Sequence, residues 1–184
     1  VITDLDEALR YIPGVSMTLD QVSIRGSSGY ARGVGSRVVT ALDGFPMYSG
    51  DTGEIIWEIF PVSIIERIEV IKGAASFIYG SNAIGGVINV ISEQGKAHET
   101  YIRMNGGFYS QPDEEIWKWS SNERFFRTIS VTQKLSFSAA NLVVSLTQSD
   151  NDGYRKDDDY RRNSFFVKSD IPLTTGSSLT MLAN

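Results

Sequence analysis

The chain contains no cysteine and only one histidine, His98. The first absence removes disulfides, thiolate metal sites and cysteine nucleophiles together. The second disfavours a histidine-based active site, because His98 stands alone in a polar stretch from Lys96 to Thr100. No run of about 18 apolar residues occurs, so there is no candidate transmembrane helix. A P-loop, a GxSxG elbow, a dinucleotide fingerprint and an HExxH pair are all missing, which argues against an enzyme. The glycine-rich loop from Gly26 to Gly35 follows a strand but lacks the spacing and the following helix that phosphate cradling needs. Nor is there an excess of positive charge. The formal net charge is −5, so a general nucleic-acid-binding role has no support. The chain opens at Val1 with neither an initiator methionine nor a signal peptide, and reads as a mature or trimmed product.

What is present changes character near Ser92 to Lys96. Before that point short helices, short strands and glycine-rich turns are mixed. Asp4 with Glu7 three residues on forms a capping-box signature, and Leu5, Ala8, Leu9 and Ile12 share one helical face until Pro13-Gly14 stops it. Val22 to Arg25 and Arg37 to Leu42 read as strands, the first ended by Gly26 and the second by the turn Asp43-Gly44. Pro61 suits the first turn of a short helix reaching about Ile65. Ile68 to Ile71 reads as strand, Ala74 to Tyr79 as a short helix ended by Gly80, and Val87 to Ile91 as a strand after Gly85-Gly86. The sum is a compact α+β unit with a small mixed sheet, placed at 1–94.

From 95 to 184 the rhythm is period two. From Thr128 to Ser138, Ile129, Val131, Leu135 and Phe137 alternate with Thr128, Ser130, Thr132, Lys134, Ser136 and Ser138. Ile102, Met104 and Phe108 alternate in the same way, as do Leu142, Val144 and Leu146, then Phe165, Val167 and Ile171, then Leu179, Met181 and Ala183. Such alternation puts one face in an apolar medium and the other in a polar one. Connections alternate between long (Ser110 to Arg124, Asp150 to Arg161) and short (Ala139 to Asn141, Pro172 to Gly176), as in outer-membrane barrels. A soluble antiparallel sandwich alternates too. Lysine and serine on the inner face favour a wet lumen over a dry core.

Four segments, in order, resemble the plug of TonB-dependent receptors: IPGV (Ile12 to Val15), SIRG (Ser23 to Gly26), LDGFP (Leu42 to Pro46) and IERIEVIKGAASFIYGSNAIGGVINVIS (Ile65 to Ser92). The loop phrase SDNDGYR (Ser149 to Arg155) is a softer match. Lys72 and Ala74 depart from the arginine and proline usual in the family, and lysine keeps the charge but loses the bidentate fork. The resemblance implies a plug followed by antiparallel strands of a transmembrane β-barrel. It implies a receptor that imports a scarce nutrient, most naturally a ferric siderophore, with cobalamin or another large nutrient as the alternative. It implies TonB as a partner, through a segment upstream of this chain, and outer-membrane lipid around the barrel. The cell outer membrane of a Gram-negative bacterium is the implied location.

Candidate residues follow. Arg25, Gly26, Asp43, Gly44, Glu66, Arg67, Glu69, Lys72, Gly73, Tyr79, Gly80, Gly85, Gly86 and Asn89 belong to the plug motif or to plug–barrel contacts. Tyr30, Arg32, Tyr48 and Trp57, on loops expected to face outward, could stack on or pair with an anionic, ring-bearing chelate. Asp150, Asp152, Asp157, Asp158 and Asp159 form an acidic loop whose carboxylates suit calcium, although it is not an EF-hand. No other cofactor is called for. A plug-fold signalling receptor without transport and a free-standing plug-like binding module are the rival readings. About five strands cannot close a barrel, so a continuation of the wall is expected.

Overall fold

The structure, a computed structural model, describes residues 5–18, 21–27, 37–49, 55–73, 75–174 and 177–183. The chain divides into two compact units, Val1–Glu93 and Gln94–Asn184.

The first unit opens with helix α1 (Leu5–Leu9), which buries Leu5 and Leu9. The expected capping residue Asp4 lies outside the described residues. Strands β1 (Val15–Thr18) and β2 (Gln21–Ile24) then form an antiparallel hairpin of their own. β1 is an addition to the sequence reading, hidden there by the Pro13-Gly14 turn just upstream. Four further strands build a mixed sheet in the order β4-β3-β6-β5: β3 (Val38–Leu42), β4 (Phe45–Pro46), β5 (Ile65–Ile71) and β6 (Gly86–Ser92). Two 3₁₀ turns, Trp57–Ile59 and Val62–Ile64, precede β5. The predicted helix after Pro61 is therefore only a tight turn, and the strand begins at Ile65. Helix α2 (Ser76–Tyr79) links β5 to β6.

The two inner strands explain the core. β3 runs parallel to β6, and both carry β-branched or aliphatic residues almost without interruption, as a strand covered on both faces must. Val38, Leu42, Val87, Ile88 and Val90 are buried with Leu5, Leu9 and Ile64. The edges are blunted. β4 is two residues long and ends in Pro46, while β5 shows Glu66, Arg67 and Glu69.

The second unit is one antiparallel sheet in sequential order: β7 (Glu99–Tyr109), β8 (Arg124–Ser136), β9 (Asn141–Asn151), β10 (Tyr160–Thr174) and β11 (Ser177–Ala183). Register joins Ile102, Val131, Leu146 and Phe165 in one cross-strand row, and Tyr101, Thr132, Ser145 and Phe166 in the next. The two faces invert the rule of soluble sheets. Ile102, Leu146 and Phe165 are 64%, 54% and 51% exposed, whereas Ser130, Thr132 and Ser145 are 4%, 3% and 2% exposed. Lys134 and Lys168 are also buried, on the same face as Ser130; Val143 and Phe166 are apolar members of that face. β8 and β10 begin earlier than the alternation predicted, and β9 runs on to Asn151, so Asp150 belongs to a strand and the loop after it is only 152–159. No helix among the described residues is long and apolar enough to cross a membrane, which says nothing about strands.

Gly86 is the glycine on which this fold depends most. Its φ is +148°, and a Cβ there would meet the Ile71 carbonyl oxygen at 2.4 Å and an Ile24 methyl at 2.7 Å. Gly86→Ala should therefore destabilise the first unit by about 3 kcal/mol, through backbone strain and overpacking. Amide exchange along Val87 to Ile91 should speed up by roughly a hundredfold; unchanged protection would show that the β5–β6 junction has room to give.

Candidate functional site

The motif residues in the first unit hold one another. Asp43 and Gly44 both have positive φ, 50° and 86°, so the β3–β4 link is a two-residue hairpin turn of the kind for which Asp-Gly is favoured. β6 fastens that turn from the side. The Ser92 backbone N–H donates to one Asp43 carboxylate oxygen (2.9 Å) and the Ser92 hydroxyl donates to the other. The Gly44 N–H donates to Asn89 Oδ1 (2.9 Å), and the Asp43 N–H donates to the Val90 carbonyl (2.8 Å). LDGFP and VINVIS, 45 residues apart, are thus two halves of one latch.

A second set of bonds reaches the β1–β2 hairpin. Lys72 Nζ donates to the Pro13 carbonyl, Arg25 Nη1 donates to the Lys72 carbonyl (3.4 Å), and the Arg25 N–H donates to the Gly14 carbonyl (2.9 Å). Arg25 and Gly26 turn the chain with φ of 51° and 76°. On β5, Arg67 pairs with Glu66 and Glu69, each at 2.9 Å. The hydrogen bond to Glu69, helped by the charges of Glu69 and Glu66, holds the exposed Arg67 guanidinium above its ordinary value against the cost of desolvation. Tyr79 packs beside Val39, Ala83 and Val87, with Ala75. Gly73 and Gly80 have positive φ, and Gly85 lies against Ser27 and the Arg37 carbonyl.

The ring-bearing residues proposed to meet a ligand fare differently from one another. Tyr30 and Arg32 lie outside the described residues. Tyr48 is half exposed. Trp57 is buried, its ring 6.4 Å from that of Phe60, so it contributes core rather than a stacking surface.

The five aspartates are not gathered either. Asp150 faces Arg127 and Arg161 across the strands, and one Asp152 oxygen accepts the Phe125 N–H (2.9 Å). Among the described residues no group of three acidic or histidine side chains comes together as a metal would need. The donor set as arranged does not fit calcium, because its two strand-end members already have protein partners.

Sequence reasoning missed the best-built cluster at that end of the sheet. Arg124, 3% exposed, lies 4.9 Å from the Trp119 ring, 5.7 Å from Tyr154 and 5.9 Å from Tyr109. Its Nη1 donates to the Gly153 (3.1 Å) and Tyr154 carbonyls. Trp119 Nε1 donates to the Tyr154 carbonyl (3.1 Å), and the Tyr109 hydroxyl donates to Asn151 Oδ1 (3.0 Å). Nε of Arg124 is buried without a hydrogen-bond partner among the described residues, so the surrounding π-faces supply its compensation. The cluster ties the loop 110–123 to the loop 152–159. Aromatics recurring in otherwise polar long loops were the available signal.

Asp43→Ala removes two acceptors and a residue type that tolerates left-handed backbone. A loss of about 2–3 kcal/mol is expected, read as lost amide protection at Ser92 and Gly44. Asp43→Asn, which keeps the backbone preference and one acceptor oxygen, should cost less than alanine. Equal losses for the two variants would contradict the latch.

Comparison with known proteins agrees with this geometry. The family model for the TonB-dependent Receptor Plug Domain matches residues 2–87. The siderophore receptor PirA from Pseudomonas aeruginosa is similar over 99% of this chain and 31% of its own, at 24% identity and a TM-score of 0.64. PirA from Acinetobacter baumannii is similar over 99% of this chain and 29% of its own, at 19% identity and a TM-score of 0.69. The ferric-catecholate import receptor Fiu from E. coli K12 is similar over 98% and 24%, at 20% identity and a TM-score of 0.64. The chain spans under a third of the length of these solved receptors. Residues 2–87 thus match the TonB-dependent receptor plug domain, and the chain shares the fold of the corresponding part of these solved receptors.

Proposed function

We propose that this chain is the plug and the first wall strands of an outer-membrane receptor that imports a ferric siderophore with energy delivered by TonB. The observation that carries the reading is the inverted sheet: apolar rows uncovered, polar rows sheltered, directly after a plug domain. A sheet of that kind suits a wall between lipid and water, not a soluble core. That the similar solved proteins are named as siderophore and ferric-catecholate receptors supports the substrate class.

A barrel of about 22 strands is too wide for its own side chains to fill, so a separate domain must close it. The outer membrane holds no ATP, and force must come from TonB, gripping the chain on the N-terminal side of the plug. Such a pull meets α1 and the β1–β2 hairpin first. That hairpin forms a sheet separate from β4-β3-β6-β5; it buries Val15, Val22 and Ile24 and is tied to the end of β5 by the Lys72 and Arg25 bonds. The four-stranded sheet, with its Asp43 latch, is the sturdier part. The hairpin is thus the part to yield first.

Two outcomes are expected. A strain lacking its other iron receptors but carrying the intact receptor should grow on one class of ferric siderophore only while TonB is present. Growth rescue by cobalamin alone would move the substrate, and TonB-independent behaviour on every source would remove transport. Lys72→Met should raise amide exchange in Val15 to Ile24 about fivefold and leave Val87 to Ile91 unchanged, as loss of one partly exposed charge-assisted bond implies. Equal loosening of both segments would contradict the order of yielding.

A further inference from the structure

Among the described residues, the outward face of the five-stranded sheet carries its charges in one row near its long-loop end; its uncharged polar members include Gln148 and Asn163 in the adjacent row and Gln133 nearer the short turns. Arg127 on β8, Asp150 on β9 and Arg161 on β10 stand opposite one another in register. Arg127 Nε donates to one Asp150 oxygen (2.8 Å) and Arg161 Nε donates to the other (2.7 Å). The aspartate side chain is 10% exposed, but those of the arginines are 54% and 75% exposed. Each guanidinium spends its inner nitrogen on the aspartate. The terminal nitrogens have no hydrogen-bond partner among the described residues. The row carries a net charge of about +1, since arginine stays protonated and a carboxylate between two arginines stays ionised.

Its position on the wall matters more than its charge. Toward the short turns the same face continues through Ile129, Val131, Gln133 and Leu135; toward the long loops it ends in Phe125, opposite Phe108. Phe125 to Leu135 is ten strand steps, which at about 3.3 Å each and a tilt of about 40° rise about 25 Å. That is the height of a lipid-facing band, with the arginines at its rim beside an aromatic girdle. An exposed arginine is costly at the bilayer midplane and tolerated near the interface. At that depth the available anions are lipid headgroups, and the planar fork of arginine matches phosphate oxygens.

We propose that Arg127 and Arg161, braced by Asp150, form a docking site on the outer wall for a phosphorylated lipid headgroup of the outer leaflet. The inference rests on the membrane reading above. Asp150 acts as the brace: it anchors each arginine through Nε and leaves the terminal nitrogens for phosphate.

The test uses the intact receptor, purified in a neutral detergent, with lipid binding followed by native mass spectrometry. The probes are bisphosphorylated lipid A, its dephosphorylated counterpart and inorganic phosphate. The double variant Arg127→Gln/Arg161→Gln should bind lipid A at least tenfold more weakly, with binding of the dephosphorylated lipid unchanged. Asp150→Asn, which loses the brace but keeps both cations, should weaken lipid A less than the double variant does; an ion network with a purely structural role would leave lipid binding untouched in every variant. Unaltered lipid A affinity in the double variant would overturn the site. So would inorganic phosphate competing as strongly as lipid A, which would reduce it to an anion subsite. If the double variant does not assemble, Arg161→Gln alone should weaken lipid A about threefold, and no change there would overturn the site equally. Heat-modifiable migration of the wild-type receptor reports the barrel separately; its absence would remove the membrane reading, and this site with it.

Discussion

Ile102, Val131, Leu146 and Phe165 stand side by side across four strands, and three of them leave half or more of their surface uncovered. Behind them Thr132 and Ser145 share a hydrogen bond between hydroxyls (2.9 Å) on the sheltered face. In water this arrangement is upside down: burying apolar surface is the main favourable term in folding, at about 25 cal/mol per Å². The rows become favourable when the medium beside them is hydrocarbon. Every other feature of the second unit is consistent with that constraint. Strands are long and connected in sequence, so backbone groups are satisfied by neighbours. Polar side chains pair across strands on one face, as Thr128 does with Ser149 and Lys134 with Glu99. The exposed charges on the other face are confined to its end.

The first unit answers a different requirement. It is small and loop-rich, and it depends on a few bonds between distant segments. The buried β3 and β6 supply a dry centre; the Asp43 latch stops the β3–β4 turn from swinging away from it. The β1–β2 hairpin buries Val22 and Ile24 in the same unit, and the ties through Lys72 and Arg25 join it to the end of β5. A domain built in this way can yield in part without losing its core, as the proposed function requires. At the loop end of the second unit, the Arg124 cluster does the reverse and joins two long loops into one body.

Much of this was legible in the sequence because the period of side-chain direction is short. A two-residue repeat cannot be mistaken over ten residues, so all five strands of the second unit could be read. Their ends were less clear. Phe125, Phe126 and Arg127 blur the hydropathy contrast where the wall meets its rim, and β8 begins four residues before the expected Thr128. Asp150 looked like a loop residue because an unpaired aspartate disfavours strand; the arginines that hold it come from neighbouring strands. The same distance in sequence hid the partners of Asp43 and Arg124. The burial of Trp57 beside Phe60 was not legible either, because an aromatic in a polar loop looks the same whether its ring faces out or packs inward.

These 184 residues contain no cysteine, so with any cysteine elsewhere in the receptor replaced, each introduced thiol is the label's one target. Single cysteines at Val131, Leu146 and Phe165, and at Thr132, Ser145 and Ser130, can be labelled with a fluorophore in the intact receptor reconstituted in lipid vesicles. Quenching by a lipid-borne nitroxide should be strong at the first three positions and weak at the second three, alternating residue by residue along each strand. Equal quenching on both faces, or stronger quenching at Thr132 and Ser145 than at Val131 and Leu146, would contradict a wall whose apolar side meets lipid.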